Sequence, residues 1–348
     1  MADVTFVYHP DFLEHDTGQH PERPERLTAI VDAVRRACLP GLDFVTPSPA
    51  SMEQVARVHA IRHVERVRRI AASGGGYADL DTVVLPRSYD VALLAAGGAI
   101  RAAEAVLSGE ARASFAAVRP PGHHAGPSST GGFCLLNNAA IAARHAQVAF
   151  GVSRVLIVDF DAHHGNGTQA VFDEDPSVLY ASVHEYPFYP GTGAVREVGR
   201  GAGRGYVVNV AVPAGTGDLE YERIFDEALA PVARQFRPEL ILASAGYDAH
   251  WLDPLVLLEV STAGFASMVG RLREWADELC GGRLALILEG GYDLGALAAS
   301  VVASLAVLVG VPPTDPFGQP GRRRPVDIAP TIAEVRRAHP WWFGQLKG

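Results

Sequence analysis

Short runs at 154–160, 178–183, 240–244 and 284–288 are apolar at successive positions rather than at alternate ones. A strand covered on both faces has this pattern, because neither side of it meets water. Segments with helical spacing lie before and between these runs, at 52–72, 89–107, 137–150, 221–235 and 262–279. Strands alternating with helices predict βαβ units and an α/β fold around an open, parallel sheet. Asp293 is placed to cap a further helix starting near Leu294. The stretch 294–311 is uncharged for 18 residues, close to membrane-spanning length. Its Ala, Ser and Gly content, and the polar Gly-Gly-Tyr-Asp turn before it, predict a helix buried within a large α/β body instead.

The composition of the 348 residues, 48% apolar and 20% charged, excludes a disordered chain, a collagen-like chain and a small disulfide scaffold. One large domain over 1–348 is expected, with its core over about 1–311 and a tail over 312–348 that starts in a Pro- and Arg-rich stretch. Trp341-Trp342-Phe343 predicts that the tail packs back on the body. The Gly/Arg-rich segment 199–205 reads as a turn between strands, Gly74-Gly75-Gly76 as a flexible turn, and Gly321-Arg322-Arg323-Arg324-Pro325 as a solvated charge run. Acidic residues outnumber basic ones 39 to 30, for a net charge of −9, which argues against a dedicated nucleic-acid binder. Cys38, Cys134 and Cys280 are far apart and form no CxxC pair, and the N-terminus lacks a signal-peptide pattern. A cytoplasmic protein with no membrane segment is expected; self-association is left open.

In parallel sheets, ligands bind beyond the carboxyl ends of the strands. Those ends carry Asp159-Phe-Asp-Ala-His-His-Gly-Asn-Gly167, His184, Ala245-Gly-Tyr-Asp-Ala-His250 and Glu289-Gly-Gly-Tyr-Asp293, and a separate loop carries His123 and His124. Burying so many titratable groups is costly unless they are paired or metal-bound. Asp161 and His163 share one face of an extended stretch, and Asp248 from another strand end supplies a third ligand. This Asp/His/Asp set contains no thiolate and leaves a coordination position open, as catalytic zinc sites do; Fe(II) and Mn(II) also suit it. Asp159 and Asn166 are available to orient the two histidines, one of which can move a proton between water and a leaving amine. Tyr292 can donate to a developing oxyanion. Together these groups describe amide hydrolysis. Neither a Walker pattern nor a GxGxxG after a strand is present.

The runs Arg119-Pro-Pro-Gly-His-His-Ala125, Gly132-Phe-Cys-Leu-Leu-Asn-Asn138, Asp159-Phe-Asp-Ala-His-His-Gly-Asn-Gly-Thr168, Tyr189-Pro-Gly-Thr-Gly193, Ser244-Ala-Gly-Tyr-Asp-Ala249 and Glu289-Gly-Gly-Tyr292 occur in one order along the chain, after His20-Pro-Glu-Arg-Pro-Glu-Arg26. They resemble the histone deacetylase family, and Asn166 with the Asn137-Asn138 pair resembles its class II branch and bacterial relatives. The resemblance implies the arginase–deacetylase fold, three layers with a central, mostly parallel sheet between helices. It implies one catalytic zinc on Asp161, His163 and Asp248. His124 would be general base and acid, oriented by Asn166; His123 would be its electrostatic partner on Asp159. Tyr292 would polarise the scissile carbonyl, Phe133 and Tyr189 would line the tunnel, and the Gly132 carbonyl would accept the substrate amide hydrogen. Structural potassium is implied at Asp159, Asp161, His163, Ser182 and Val183, and again at Phe172, Asp175, Val178 and Tyr206.

The implied activity is zinc-dependent hydrolysis of N-acetyl (acyl) lysine side chains in a protein or peptide, giving acetate and free amine from the acetyl form. The alternative substrate is an acetylpolyamine or other small acylated amine, for which related proteins place a carboxylate at the pocket mouth. Here the residue after Asp253-Pro254 is the apolar Leu255, which favours acyl-lysine, while Asp79 and Asp81 belong to a loop that can form the rim. Asp81 can grip a peptide backbone or a cation. The loop 254–259 lacks the glycines usual there, which can reshape the pocket. A catalytically silent binding protein on the same fold is a further alternative. A two-metal ureohydrolase would need carboxylate ligands where His164 and Gly165 stand.

Overall fold

The structure, a computed structural model, describes residues 2–321 and 325–344. In chain order its strands are β1 (Ala2–Val7), β2 (Leu42–Val45), β3 (Gly76–Tyr77), β4 (Val83–Val84), β5 (Ala111–Ala116), β6 (Val155–Asp159), β7 (Val178–Glu185), β8 (Val207–Val212), β9 (Leu240–Ala245) and β10 (Leu284–Leu288). β3 and β4 form a small antiparallel hairpin. The other eight form one sheet in the order β2-β1-β5-β10-β9-β6-β7-β8, with every neighbouring pair parallel. Every residue of β6, β9 and β10 is buried, which explains their unbroken apolar sequence. The pattern alone names neither β1, β2 nor β5. β5 reads Ala-Arg-Ala-Ser-Phe-Ala, poor in β-branched residues, and β2 is a short edge strand.

The principal helices are α1 (Glu25–Ala37), α2 (Met52–Ala56), α3 (Ile61–Ala72), α4 (Ser88–Leu107), α5 (Asn138–Phe150), α6 (Asn166–Phe172), α7 (Asp218–Ile224), α8 (Ala230–Phe236), α9 (Thr262–Cys280), α10 (Leu294–Leu308) and α11 (Ala329–Ala338). Asp293 caps α10 by accepting the Ala296 N–H at 2.8 Å. α10 packs between α1 and α9, and no helix among the described residues is long and apolar enough to cross a membrane.

Two expected helices differ in detail. The segment 52–72 breaks at 57–60, where the chain docks on the loop that follows β5. The Ala60 N–H donates to the Pro127 carbonyl at 2.8 Å, and buried His59 accepts from the Asn137 N–H at 2.8 Å. The segment 221–235 starts earlier than expected, and a π turn at Phe225–Leu229 joins α7 to α8. Pro231 lacks the N–H that would bond the Glu227 carbonyl, and the Arg336 guanidinium of α11 takes that carbonyl instead, at 2.9 Å. The tail does return to the body: Ile328, Ile332 and Val335 are buried in the common core, and the Trp342 indole donates to the Gly205 carbonyl at 2.7 Å. Most of the expected charge run, Arg322 to Arg324, lies outside the described residues.

Beneath the carboxyl end of the sheet, buried Glu22 receives Arg119 through both oxygens, at 2.6 and 2.8 Å, and Arg26 at 3.2 Å. Burial alone would raise this carboxyl, but Arg119, aided by His15 and Arg26, holds it at about 2. The folded value lies below the unfolded one, so the pair stabilises the fold above pH about 4.5 and loses that contribution as pH falls towards about 2. Glu22→Gln is expected to cost about 3–5 kcal/mol at pH 7 by stranding buried guanidinium charge. Its urea midpoint should also depend less on pH across that window than the wild-type midpoint, a comparison made by circular dichroism at pH 7 and pH 3.

Candidate active site

The carboxyl ends of the four central strands β5, β10, β9 and β6 bring the predicted residues together. After β6 the chain turns at Asp159, Phe160 and Asp161, and the N–H groups of this turn fold back on its own carboxylates. Asp161 N–H donates to Asp159 Oδ1 at 3.2 Å, and His163 N–H to Asp161 Oδ1 at 2.9 Å. His163 Nδ1 then lies 3.2 Å from Asp161 Oδ1 and 2.8 Å from Asp248 Oδ2, the latter just beyond β9. One ligand atom from each of these three buried residues lies within 4.8 Å of the others. Their outer oxygens are fixed by backbone donors, Ala162 N–H to Asp248 Oδ1 and Gly290 N–H to Asp161 Oδ2, each at 2.8 Å. A Cβ on Gly290 would stand 2.5 Å from Asp248 Oδ2, so only glycine leaves the carboxylates this space.

Electrostatics favour a cation there. Burial opposes charge on the His163 imidazole, yet Asp161 and Asp248 raise its pKa well above the ordinary value. Burial and the charge of Asp161 push the Asp248 carboxyl up. Three clustered donors of this chemistry suit a divalent ion such as zinc.

His123 and His124 occupy the loop after β5, their rings 4.0 Å apart. Glu289 at the end of β10 anchors this loop by accepting the N–H groups of Gly122 (2.6 Å) and His123 (3.1 Å), with the Ser244 hydroxyl on its other oxygen at 3.0 Å. The two imidazoles have opposite electrostatics. Burial disfavours charge on His123, but Asp161 and Asp159 overcome it and push its pKa up to about 10; Nδ1 is 3.1 Å from Asp159 Oδ2. Burial lowers His124 well below the ordinary value, and the positive charges of His123 and His163 lower it further. Its Nδ1 lies 2.8 Å from Asn166 Oδ1, so the neutral ring donates to the amide oxygen there and presents an unprotonated Nε2.

A cavity of about 210 Å³ opens above His124 and His163. Its walls include Phe133, Phe188, Tyr189 and Leu255, with Gly132 and Tyr292 deeper and Asp81 also on the lining. Gly132 and Phe133 both have positive φ, in a tight turn closed by the Cys134 N–H on the Gly131 carbonyl at 2.8 Å. That turn presents the Phe133 ring 6.0 Å from the Tyr292 ring. Burial raises the Tyr292 phenol well above 10, so it remains a donor. Tyr189 is 42% exposed, and Leu80 on the β3–β4 hairpin beside Asp81 is fully exposed.

The residues proposed for potassium fall into two groups. Ser182 and Val183 lie on β7, where Ser182 is the register partner of Asp159. Phe172 ends α6, Asp175 follows it with its N–H on the Phe172 carbonyl at 3.0 Å, and Val178 begins β7. Tyr206 sits alongside, its carbonyl accepting the Tyr180 N–H at 2.9 Å.

Four contributors go beyond the residues given a role from sequence. Phe188 completes the aromatic wall, 5.8 Å from the His163 ring, and its signal was the adjacent aromatic pair Phe188-Tyr189. The Tyr180 hydroxyl donates to Asp159 Oδ2 at 2.9 Å. Glu289 and Asp253 act through backbone N–H groups, and such contacts leave no residue pattern to read.

Comparison with known proteins gives the class, a deacetylase or amidohydrolase. Residues 20–308 match the histone deacetylase domain, and the chain belongs to that family. It is 43% identical over 309 residues to a probable deacetylase of Archaeoglobus fulgidus, covering 87% of this chain and 86% of that one. It is 36% identical over 295 residues to the histone deacetylase-like amidohydrolase of Pseudomonas aeruginosa, covering 84% of this chain and 77% of the relative. The crystal structure of the HDA15 HD domain superposes with a TM-score of 0.90 at 38% identity, over 99% of this chain and 96% of that one. The fold is therefore the arginase–deacetylase fold, with the expected mostly parallel sheet parallel at every pairing.

Replacing Asn166 with Asp would put a carboxylate on His124 Nδ1 and stabilise the imidazolium. The acid limb of the kcat/KM profile of Asn166→Asp is expected at higher pH than in the wild type, measured by initial rates from pH 5 to 9. An unmoved acid limb would contradict His124 as the group whose protonation shuts off the reaction.

Proposed function

We propose that this protein hydrolyses the amide of N-ε-acetyl-lysine side chains, releasing acetate and the free amine, with one zinc ion held by Asp161, His163 and Asp248. The observation that carries this reading is the Asp161, His163 and Asp248 cluster beside two adjacent histidines, one on Asp159 and the other on Asn166, at an aromatic-walled cavity. When bound, zinc supplies Lewis acidity towards the scissile carbonyl and lowers the pKa of water towards neutrality. His124, neutral and oriented by Asn166, accepts a proton at Nε2 and returns it to the leaving amine. His123, charged and anchored on Asp159, opposes the negative charge that develops beside it. Tyr292 donates its O–H to the carbonyl oxygen as that oxygen gains charge. The Gly132 carbonyl accepts the substrate amide hydrogen, and Phe133, Phe188 and Tyr189 enclose the apolar lysine stem.

The buried charge also suits monovalent cations. Asp159, Asp161, Asp248 and Glu289 lie together out of water, and burial raises Glu289 to about 7. Potassium at Asp159, Asp161, His163, Ser182 and Val183, and at Phe172, Asp175, Val178 and Tyr206, would offset part of that charge.

Two features favour acyl-lysine in a peptide over an acetylpolyamine. The Leu255 wall offers no charge to a second amine. Asp79 is occupied by the Thr82 N–H and the Thr130 hydroxyl, each at 2.8 Å, while burial and the Asp79 hydrogen bond raise the Asp81 carboxyl. A rim carboxyl so placed suits a backbone amide better than a polycation, and exposed Leu80 and Tyr189 add apolar surface for flanking residues.

The test is amine release by zinc-loaded protein from an acetyl-lysine peptide and from acetylputrescine, each with and without chelator. Chelator-sensitive cleavage of the peptide alone is expected; preference for acetylputrescine would move the substrate to small amines, and no cleavage of either would favour a silent binding protein. Tyr292→Phe should lose about 10²–10³ in turnover while keeping its zinc. Asp248→Ala should lose the metal itself, measured by elemental analysis after gel filtration.

A further inference from the structure

Tyr292 follows Gly290 and Gly291, and Gly291 has φ 119°, so the backbone leading to the phenol has little intrinsic preference of its own. Its orientation depends on outside contacts. Arg26 supplies one, donating from Nε to the Gly291 carbonyl at 2.6 Å with its guanidinium 5.1 Å from the Tyr292 ring centre. The other is Asp253, on the loop that follows β9.

Asp253 is buried, and its two oxygens serve three backbone donors. Oδ2 accepts the Tyr292 N–H at 2.7 Å and the Asp293 N–H at 3.4 Å; Oδ1 accepts the Leu255 N–H at 3.0 Å. Leu255 and Tyr292 both line the cavity. Asp293 in turn caps α10, so one carboxylate joins the side wall of the cavity, the phenol and a core helix. A two-oxygen acceptor is needed to serve both loops, because an amide in its place would turn an N–H donor towards one of them. Burial pushes this carboxyl up to about 7, with the charge of Asp248 acting in the same direction. The group is thus held in a costly place by the contacts it makes.

We propose that Asp253 is a positioning residue that sets the Tyr292 phenol and couples it to the Leu255 wall, so that the fit of a substrate stem against Leu255 is transmitted to the carbonyl-polarising group. The proposal rests on the role given to Tyr292 above.

The experiment is a double-mutant cycle in the zinc-loaded full chain, with wild type, Asp253→Asn, Tyr292→Phe and the double variant assayed on an acetyl-lysine peptide. Zinc content and melting temperature are measured alongside. Asp253→Asn is expected to lower kcat by up to about 10²-fold, as a small misplacement of a reacting group does, with KM nearly unchanged and zinc retained. In the Tyr292→Phe background the same substitution should cost little more, because the group it positions has lost its hydroxyl. Wild-type kcat for zinc-loaded Asp253→Asn, or an equal loss in both backgrounds, would overturn the proposal and leave Asp253 a purely structural loop contact. If Asp253→Asn does not fold, Asp253→Glu enters the same cycle: it keeps the charge and moves the oxygens by one methylene, and the same outcomes decide. Full turnover by Tyr292→Phe alone would instead remove the role of the phenol, and with it this inference.

Discussion

Negative charge held out of water is the constraint on which the carboxyl end of the sheet depends. Asp159, Asp161, Asp248 and Glu289 are all buried there, within a few residues of the ends of β6, β9 and β10. Such a cluster is unstable without compensation. The structure supplies it through His123, whose pKa is raised, the Tyr180 hydroxyl and the backbone N–H groups of Gly122, His123, Ala162 and Gly290. Gly290 before Tyr292 follows from the same need, since a side chain there would occupy the space of the Asp248 and Asp161 carboxylates.

The charge cluster also separates two chemically identical neighbours. His123 is turned towards Asp159 and Asp161 and gains a proton; His124 is turned towards Asn166, a neutral partner, and stays free of one. A base and a fixed positive charge are thus produced from consecutive residues by what each faces. The Arg119–Glu22–Arg26 network lies behind them, and Arg26 reaches the Glu289 and Gly291 carbonyls, each at 2.6 Å. Stability of the body and geometry of the site are joined through that one guanidinium.

Much of this was legible in the chain itself. Unbroken apolar runs identified β6, β7, β9 and β10 because burial on both faces removes alternation, and the alternate spacing of Asp161 and His163 placed two of the clustered side chains on one face. β5 escaped because its Ala-rich sequence carries weak strand preference and gains its place from its neighbours. The break at 57–60 escaped because it is made by a tertiary contact, His59 on the Asn137 N–H, which overrides local helical spacing. Glu289 was visible as a polar residue at a strand end, but its hold on the His123 loop runs through backbone donors that every residue possesses. Asp253 was hidden for the same reason.

The order of the strands has a consequence for how the molecule is made. β5 and β6 are successive strands of the main sheet along the chain, yet β10 and β9 stand between them. The first 239 residues contain the strands on either side of this gap, and the facing edges of β5 and β6 are paired only by β10 and β9. β9 and then β10 must enter that gap from a later part of the chain, and they bring Asp248, Glu289 and Tyr292 with them. Closure of the sheet and assembly of the chemistry are therefore one late event, dominated by contacts distant in sequence. A chain lacking β9 and β10 would leave the facing edges of β5 and β6 with unpaired N–H and C=O groups, a template for association, and would lack Asp248, Glu289 and Tyr292.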